Sequence, residues 1–485
     1  DLPWHEGAIA ALESMLDDEE RKQRVVEVLR PLYQRGDDWK GLVKLNEERL
    51  QLADLPDEKV EVLMNSALLY EEQGGDMEKA FGTVREAFAL VPDNEGTREQ
   101  LERLAEALEA WPRLAESYRN AAEATADEFI KRRLYDHLAT VCDERLDDPR
   151  AALKALRKLV EIEPGDVEAL ERMDMMCMLL ADWDTLVEVL ERKADNETAD
   201  DERAEVLLRL GELKHDMLQD SDGAVQVYER ALELAPESLM TLDRLIELYV
   251  DRDAERLAQL IEQRIEYTDA FEAADERHEL ILRGAKVYEE KLERPEEAIR
   301  MLRLATDSRP EDLAVLRSLE RLFTGQEAYD DLLDNLRRQA DLVEETEARH
   351  ALRNKIGDLY ISQFDNAFDA LEQYRTVIGE DPDNAPAIAA ARKIGEKYDE
   401  LRLEVSALLE PVLQEAGRHQ ELVEIMELRF SAQTDPIERA RTLNGIALIQ
   451  EEQLDEPGKA AATLLRALPE TPEERQLHDD INRLC

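Results

Sequence analysis

The chain of 485 residues carries 115 acidic and 62 basic side chains, a net charge of −53, with 43% hydrophobic but only 5% aromatic residues. That charge repels phosphate backbones and anionic lipid surfaces, and the densest basic clusters, Arg21–Arg24 and Lys131–Arg133, are short and flanked by acids. The longest apolar run, Met175–Ala181, has seven residues, far short of the ~20 that span a bilayer as a helix.

In chain order, residues 1–38 read as the end of a repeat unit already in progress. Pro3, Ala8-Ile9-Ala10-Ala11 and Val28-Leu29-Arg30-Pro31-Leu32 align with Pro382, Ala387-Ile388-Ala389-Ala390 and Leu408-Leu409-Glu410-Pro411-Val412. One helix is expected from Trp4 to Leu16. A unit of 72 residues follows from Trp39, with helices expected near 39–54, 57–74, 77–91 and 93–109. Its third helix sets the register. Ala80, Val84 and Ala87 lie on one helical face, and Pro92 is expected to end that helix and start the next.

The same skeleton recurs at Ala152/Leu156/Leu159/Pro164, Ala224/Tyr228/Ala231/Pro236 and Ala298/Leu302/Ala305/Pro310, then at Ala370/Tyr374/Val377/Pro382 and Ala460/Leu464/Ala467/Pro472. The Pro-to-Pro spacings are 72, 72, 74, 72 and 90 residues. Trp39, Trp111, Trp183, Tyr329 and His419 stand 41 residues before their alanines, and Ala254 stands 44 before Ala298. A looser marker, ten residues before each alanine, is Tyr70, Cys142, Lys214, Tyr288, Tyr360 and Gln450. The expected units are 39–110, 111–182, 183–253, 254–328, 329–418 and 419–485. Three extra residues belong in the Asp269–Asp275 loop, and an extra helix falls near 400–417. The expectation is an all-α chain of about 26 helices, forming one continuous stack.

These residues resemble the tetratricopeptide repeat, a 34-residue helix–turn–helix unit. Leu207, Leu210 and Gly211 fall on the large, apolar and small positions of its first helix, and Ala224, Tyr228, Ala231 and Pro236 on those of its second. Gly357, Tyr360, Ala370, Tyr374 and Pro382 match again, while alternate hairpins such as Ala169–Ala194 are more degenerate. Alternating good and degenerate copies resemble the arrays of long bacterial repeat proteins. The resemblance implies an α-solenoid with a right-handed superhelix and a concave groove for partners. It is specific for fold and nearly silent on activity.

Motifs that suggest chemistry have simpler readings. His278 and His350 share one repeat position and are expected to face solvent. Asp220-x-Asp222-Gly223 with Glu229 resembles part of a calcium loop, but Leu218 occupies the first ligand position, so a capped turn is expected. Met173 and Cys177 should be core, leaving Met175 and Met178 as the exposed part of a methionine-rich stretch. The tryptophans should pack between helices, and charge runs such as Asp200-Asp201-Glu202 and Glu344-Glu345 should be solvated helix faces. The family's clamp for acidic peptide termini needs lysine and asparagine; the corresponding positions include Met64, Leu208 and Asn354.

Catalytic, metal and cofactor sites are not expected. No phosphate-binding glycine loop, nucleophile elbow or HExxH motif occurs. Three cysteines, Cys142, Cys177 and Cys485, give no disulfide framework and fit a reducing, cytoplasmic setting. The expectation is a non-enzymatic scaffold for protein or peptide partners with a basic surface, binding neither nucleic acid nor membrane. Alternatives are the recognition arm of a larger enzyme, or end-to-end self-assembly through apolar terminal helices (Ile9, Leu12 and Leu16; Leu477, Ile481 and Leu484).

Overall fold

The computed structural model describes residues 6–484. Among them are 27 α-helices and no strand, and the chain divides into two units at 248/249. The first unit holds α1 (Glu6–Glu13), α2 (Glu19–Arg35), α3 (Trp39–Leu52), α4 (Pro56–Glu72), α5 (Met77–Leu90), α6 (Glu95–Ala107) and α7 (Trp111–Ala124). It continues with α8 (Glu128–Thr140), α9 (Pro149–Ile162), α10 (Val167–Leu180), α11 (Trp183–Asn196), α12 (Asp200–Glu212), α13 (Ser221–Leu234) and α14 (Leu239–Tyr249). The second unit begins with Tyr249, the last residue of α14, and holds α15 (Ala254–Tyr267), α16 (Ala274–Lys286), α17 (Pro295–Ser308), α18 (Leu313–Gly325), α19 (Tyr329–Leu342) and α20 (Thr346–Gln363). It ends with α21 (Ala367–Glu380), α22 (Ala385–Lys397), α23 (Arg402–Glu415), α24 (His419–Ala432), α25 (Pro436–Glu452), α26 (Pro457–Ala467) and α27 (Arg475–Leu484). Each unit is an all-α stack of consecutive helical hairpins, the architecture of an α-solenoid.

Opening helices α3, α7, α11, α15, α19 and α24 begin at Trp39, Trp111, Trp183, Ala254, Tyr329 and His419. The six register alanines, Ala80, Ala152, Ala224, Ala298, Ala370 and Ala460, lie on the third helix of each copy and are all fully buried. A methyl side chain there lets neighbouring helices approach closely. The second helices answer with glycine: Gly211 faces the ring of Tyr228, and Gly357 that of Tyr374.

The joints explain the loosest sequence marker. In every copy the carbonyl ten residues before the alanine accepts the N–H of the residue just before the third helix. These bonds are Tyr70–Asp76 (2.9 Å), Cys142–Asp148 (2.9 Å), Lys214–Asp220 (2.8 Å), Tyr288–Arg294 (2.8 Å), Tyr360–Asn366 (3.0 Å) and Gln450–Glu456 (2.7 Å). The bond uses backbone atoms, so the side chain at the marker is free to drift. One residue earlier the chain turns left-handed, at Gly75, Asp147, Gln219, Glu293, Asp365 and Asp455. Aspartate side chains then cap several third helices, as Asp76 does for the Lys79 N–H.

The closing prolines behave differently from the expectation. Pro92 ends α5 but does not start α6, which begins three residues later under an Asn94 cap. A side-chain cap satisfies the free N–H groups of α6, leaving proline only the role of terminator. The three extra residues of the fourth copy lie between α15 and α16, where residues 268–273 replace the three-residue joint of other copies. The extra helix is α23, which packs on α24. Its interior Pro411 corresponds to Pro31 inside α2, and Leu409 and Leu29 are buried alike. The helix expected over Trp4–Leu16 is the shorter α1; Pro3 and Trp4 lie outside the described residues. Ile9, Leu12 and Leu16 are half-buried against Val25, Val26, Leu29 and Tyr33, so α2 covers part of that face.

Candidate functional site

The second and fourth helices of five of the six copies are joined by ion pairs at or near one register. An arginine 23 residues after the alanine meets a glutamate nine before it in three copies: Arg103–Glu71 (2.6 and 2.8 Å), Arg321–Glu289 (2.9 Å) and Arg483–Glu451 (2.9 Å). Elsewhere neighbouring positions do the same work, as in Arg172–Asp136 (2.8 Å) and Arg244–Glu212 (3.3 Å). The ladder continues from fourth helix to next second helix through Arg209–Asp174 (2.6 and 2.7 Å) and Lys355–Glu320 (2.8 Å). Asp174 is only 6% exposed. Burial opposes its ionisation, but hydrogen bonds and charge from Arg209 and Lys193 outweigh that and hold its carboxyl below the usual range.

The ladder fails between α20 and α22, where no ion pair joins the two helices among the described residues. Ile361 stands at the glutamate position and Lys393 at the arginine position. Here a cleft of about 620 Å3 opens, lined by Ile361, Pro386, Ala389, Ala390, Ile394 and Tyr398 among others. Its floor is fixed by Tyr374, whose hydroxyl donates to Asp358 Oδ1 at 2.7 Å. Burial and that carboxylate push the tyrosine pKa up. At the far edge Lys397 Nζ donates to Tyr398 Oη (2.7 Å), which donates to Asp365 Oδ1 (2.8 Å). A smaller cleft of about 300 Å3 occupies the same register in the first unit, lined by Met64, Leu68, Val84, Gln100 and Leu104.

Residues 205–238 match the tetratricopeptide repeat family. The segment spans α12 and α13 with Leu207, Gly211, Ala224, Tyr228 and Pro236, and its Ala register and buried packing recur in five further copies. Among solved structures the chain is similar to YrrB, a TPR protein with an unusual peptide-binding site (19% identity, 41% of this chain and 96% of that one, TM-score 0.24). It is also similar to MamA (19%, 37% and 92%, TM-score 0.25) and to the C-terminal part of a TPR repeat-containing protein from Cytophaga hutchinsonii (14%, 53% and 98%, TM-score 0.25). No curated protein matches the chain.

Two singled-out residues are placed otherwise than expected. His278 and His350 are buried, not solvent-facing. His278 Nε2 lies 3.3 Å from Asp312 Oδ2, beside the cap of α18, and His350 Nε2 lies 2.9 Å from Glu380 Oε2 at the end of α21. In the second copy Arg132 takes the same position and pairs with the α10 cap Asp166. The position ties a second helix to the chain entering the fourth, which rewards a polar side chain long enough to cross.

The other motifs are structural. Asp220 caps α13 by accepting the Gly223 N–H (2.9 Å). Trp39 packs edge-on to Tyr70, with ring centroids 6.4 Å apart, and Arg145 lies over the Trp111 ring. Asp200, Asp201 and Glu202 are exposed on the first turn of α12, where acids suit the helix dipole. Met173, Met176 and Cys177 are buried, and Met175 and Met178 are exposed. Burial pushes the Cys177 thiol up to about 12. Of the clamp positions, Asn354 is spent on Asn384 (3.2 Å). The ladder itself was missed from sequence, although Arg103, Arg321 and Arg483 share one register position and would have revealed it.

Proposed function

We propose that the chain is a non-enzymatic scaffold that binds protein or peptide partners along the face built by its second and fourth helices. The observation that carries this reading is the pair of clefts at one repeat register of that face, one in each unit, each with an apolar floor and polar edges. Such concavities suit the side chains of a docked segment. The net charge of −53 steers partners whose surface is basic, or apolar with a basic rim. The absence of enzymatic chemistry is inferred from how the titratable groups are used. Acids and arginines on this face are tied helix to helix, and Cys142 and Cys177 are buried with raised thiol pKa values, which makes them poor nucleophiles. Those two free cysteines also fit a reducing, cytoplasmic compartment. No helix among the described residues is long and apolar enough to cross a membrane.

The test is affinity purification of the tagged chain from its native host, followed by mass spectrometry. The expected result is a stoichiometric protein partner with a basic surface, released by salt. Recovery of no partner, or a turnover measured with the purified chain alone, contradicts the reading.

A further inference from the structure

The second copy joins α8 and α10 through Arg172–Asp136 but leaves open the register that three other copies close. Copies one, four and six close this register with Glu71–Arg103, Glu289–Arg321 and Glu451–Arg483. In the second copy the two positions hold Asp143 and Met175. The backbone there matches the fourth copy: a π-helical turn over Val141–Arg145 carries Asp143, as the turn over Val287–Lys291 carries Glu289. The acid is therefore presented, but the arginine that would reach it is a methionine. The Asp143 carboxylate has no ion-pair partner among the described residues.

Methionine is not there to fill the core. Met175 is 62% exposed, Met178 51% and Leu179 72%, and their i, i+3, i+4 spacing puts them on one face of α10. Exposed acids flank them: Glu168 and Glu171 on α10, and Glu144 beside Asp143. Three large apolar side chains in the open, rimmed by carboxylates, are costly to leave in water and are adaptable in shape.

We infer that the α8–α10 face of the first unit receives an amphipathic helix from a partner protein, and that an arginine of that helix takes the vacant place opposite Asp143. The partner's apolar residues, spaced i, i+3, i+4 and i+7, cover Met175, Met178 and Leu179. Its basic residues meet the acidic rim. The partner thus completes a rung that other copies complete internally. This deepens the scaffold reading and rests on it.

The test titrates the full chain with two synthetic 18-residue helical peptides, one with a leucine face and arginine flanks, the other with the leucines replaced by alanine. Met175→Arg restores the internal rung and removes the central apolar side chain. Leu465→Arg adds the same charge at an exposed position of the second unit. The leucine/arginine peptide should bind wild type and Leu465→Arg alike, and Met175→Arg at least about ten-fold more weakly, the size of a lost interface anchor. The alanine/arginine peptide should bind weakly and identically to all three. Unchanged binding to Met175→Arg, or equal binding of the two peptides, overturns the inference. So does wild-type self-association that Met175→Arg abolishes, since the face would then serve a second copy. In each of these cases the co-purified partner of the scaffold reading is untouched, so the two failures are distinguishable.

Discussion

A Cβ on Gly211 would stand 2.3 Å from Cε1 of Tyr228. Tyr228 is fully buried on α13 and cannot retreat without opening the hairpin. Gly211→Ala is therefore expected to destabilise the chain by about 1–3 kcal/mol through overpacking. Gly82→Ala is the control: it lies in α5 with nothing within 4 Å of the added atom, and should stabilise by roughly 0.5–1 kcal/mol through helix propensity. Urea unfolding of both variants checks the pair, and a Gly211→Ala chain as stable as wild type would refute this packing.

The left-handed joints give the opposite sign. Gln219 and Glu293 hold φ values of 55° and 54°, a region that penalises any residue with a Cβ. Both are exposed, so replacement by glycine removes strain without losing packing. Gln219→Gly and Glu293→Gly are each expected to stabilise by about 0.5 kcal/mol after the entropy cost of glycine. Thermal melts of the double variant give the clearest reading. A lower midpoint would show that these turns hold no such strain.

This periodic part of the chain was readable from sequence, while its polar organisation was not. Alanine and proline positions report backbone crossings and chain reversals, which repeat with the fold, so the six third helices and their partners followed from spacing. His278 and His350 were misplaced because periodicity marks a shared environment without saying whether that environment is wet. Their partners, Asp312 and Glu380, lie 34 and 30 residues away. The clefts were illegible for a related reason: the larger one opens where a rung is missing, and Ile361 alone carries no signal until the neighbouring arginines are aligned, while the smaller one lies beside the intact Glu71–Arg103 rung.

Asp174 makes the ladder sensitive to acid. Its folded-state pKa is depressed, so the stability it contributes is present above the unfolded carboxyl value of about 3.9 and is lost as pH falls through the lower folded value. Asp174→Asn should remove that contribution. At neutral pH the variant should be less stable by about 1–3 kcal/mol, because Arg209 and Lys193 lose a charged acceptor. Between pH 5 and 2 its stability should fall less steeply than that of wild type. Denaturant midpoints at several pH values check this, and parallel profiles would contradict it.

Salt pits two effects against each other. Screening weakens exposed ladder pairs, worth about 0–1 kcal/mol each, but it also relieves the repulsion of a net charge of −53. The excess of acids is larger than the number of pairs it weakens, so the melting midpoint should rise from low salt to about 1 M chloride, where the Debye length is near 3 Å. A falling midpoint would mean that the ladder outweighs the repulsion.

The central claim is that partners dock on the face of the second and fourth helices. A photo-crosslinking residue placed there, at Leu68 or Lys393 in the two clefts, is compared with one on the third helices, at Leu90 or Leu465, which are comparably exposed. In the native host, cross-links to one protein partner are predicted from Leu68 or Lys393 and not from Leu90 or Leu465. Cross-links confined to Leu90 or Leu465 would contradict the account.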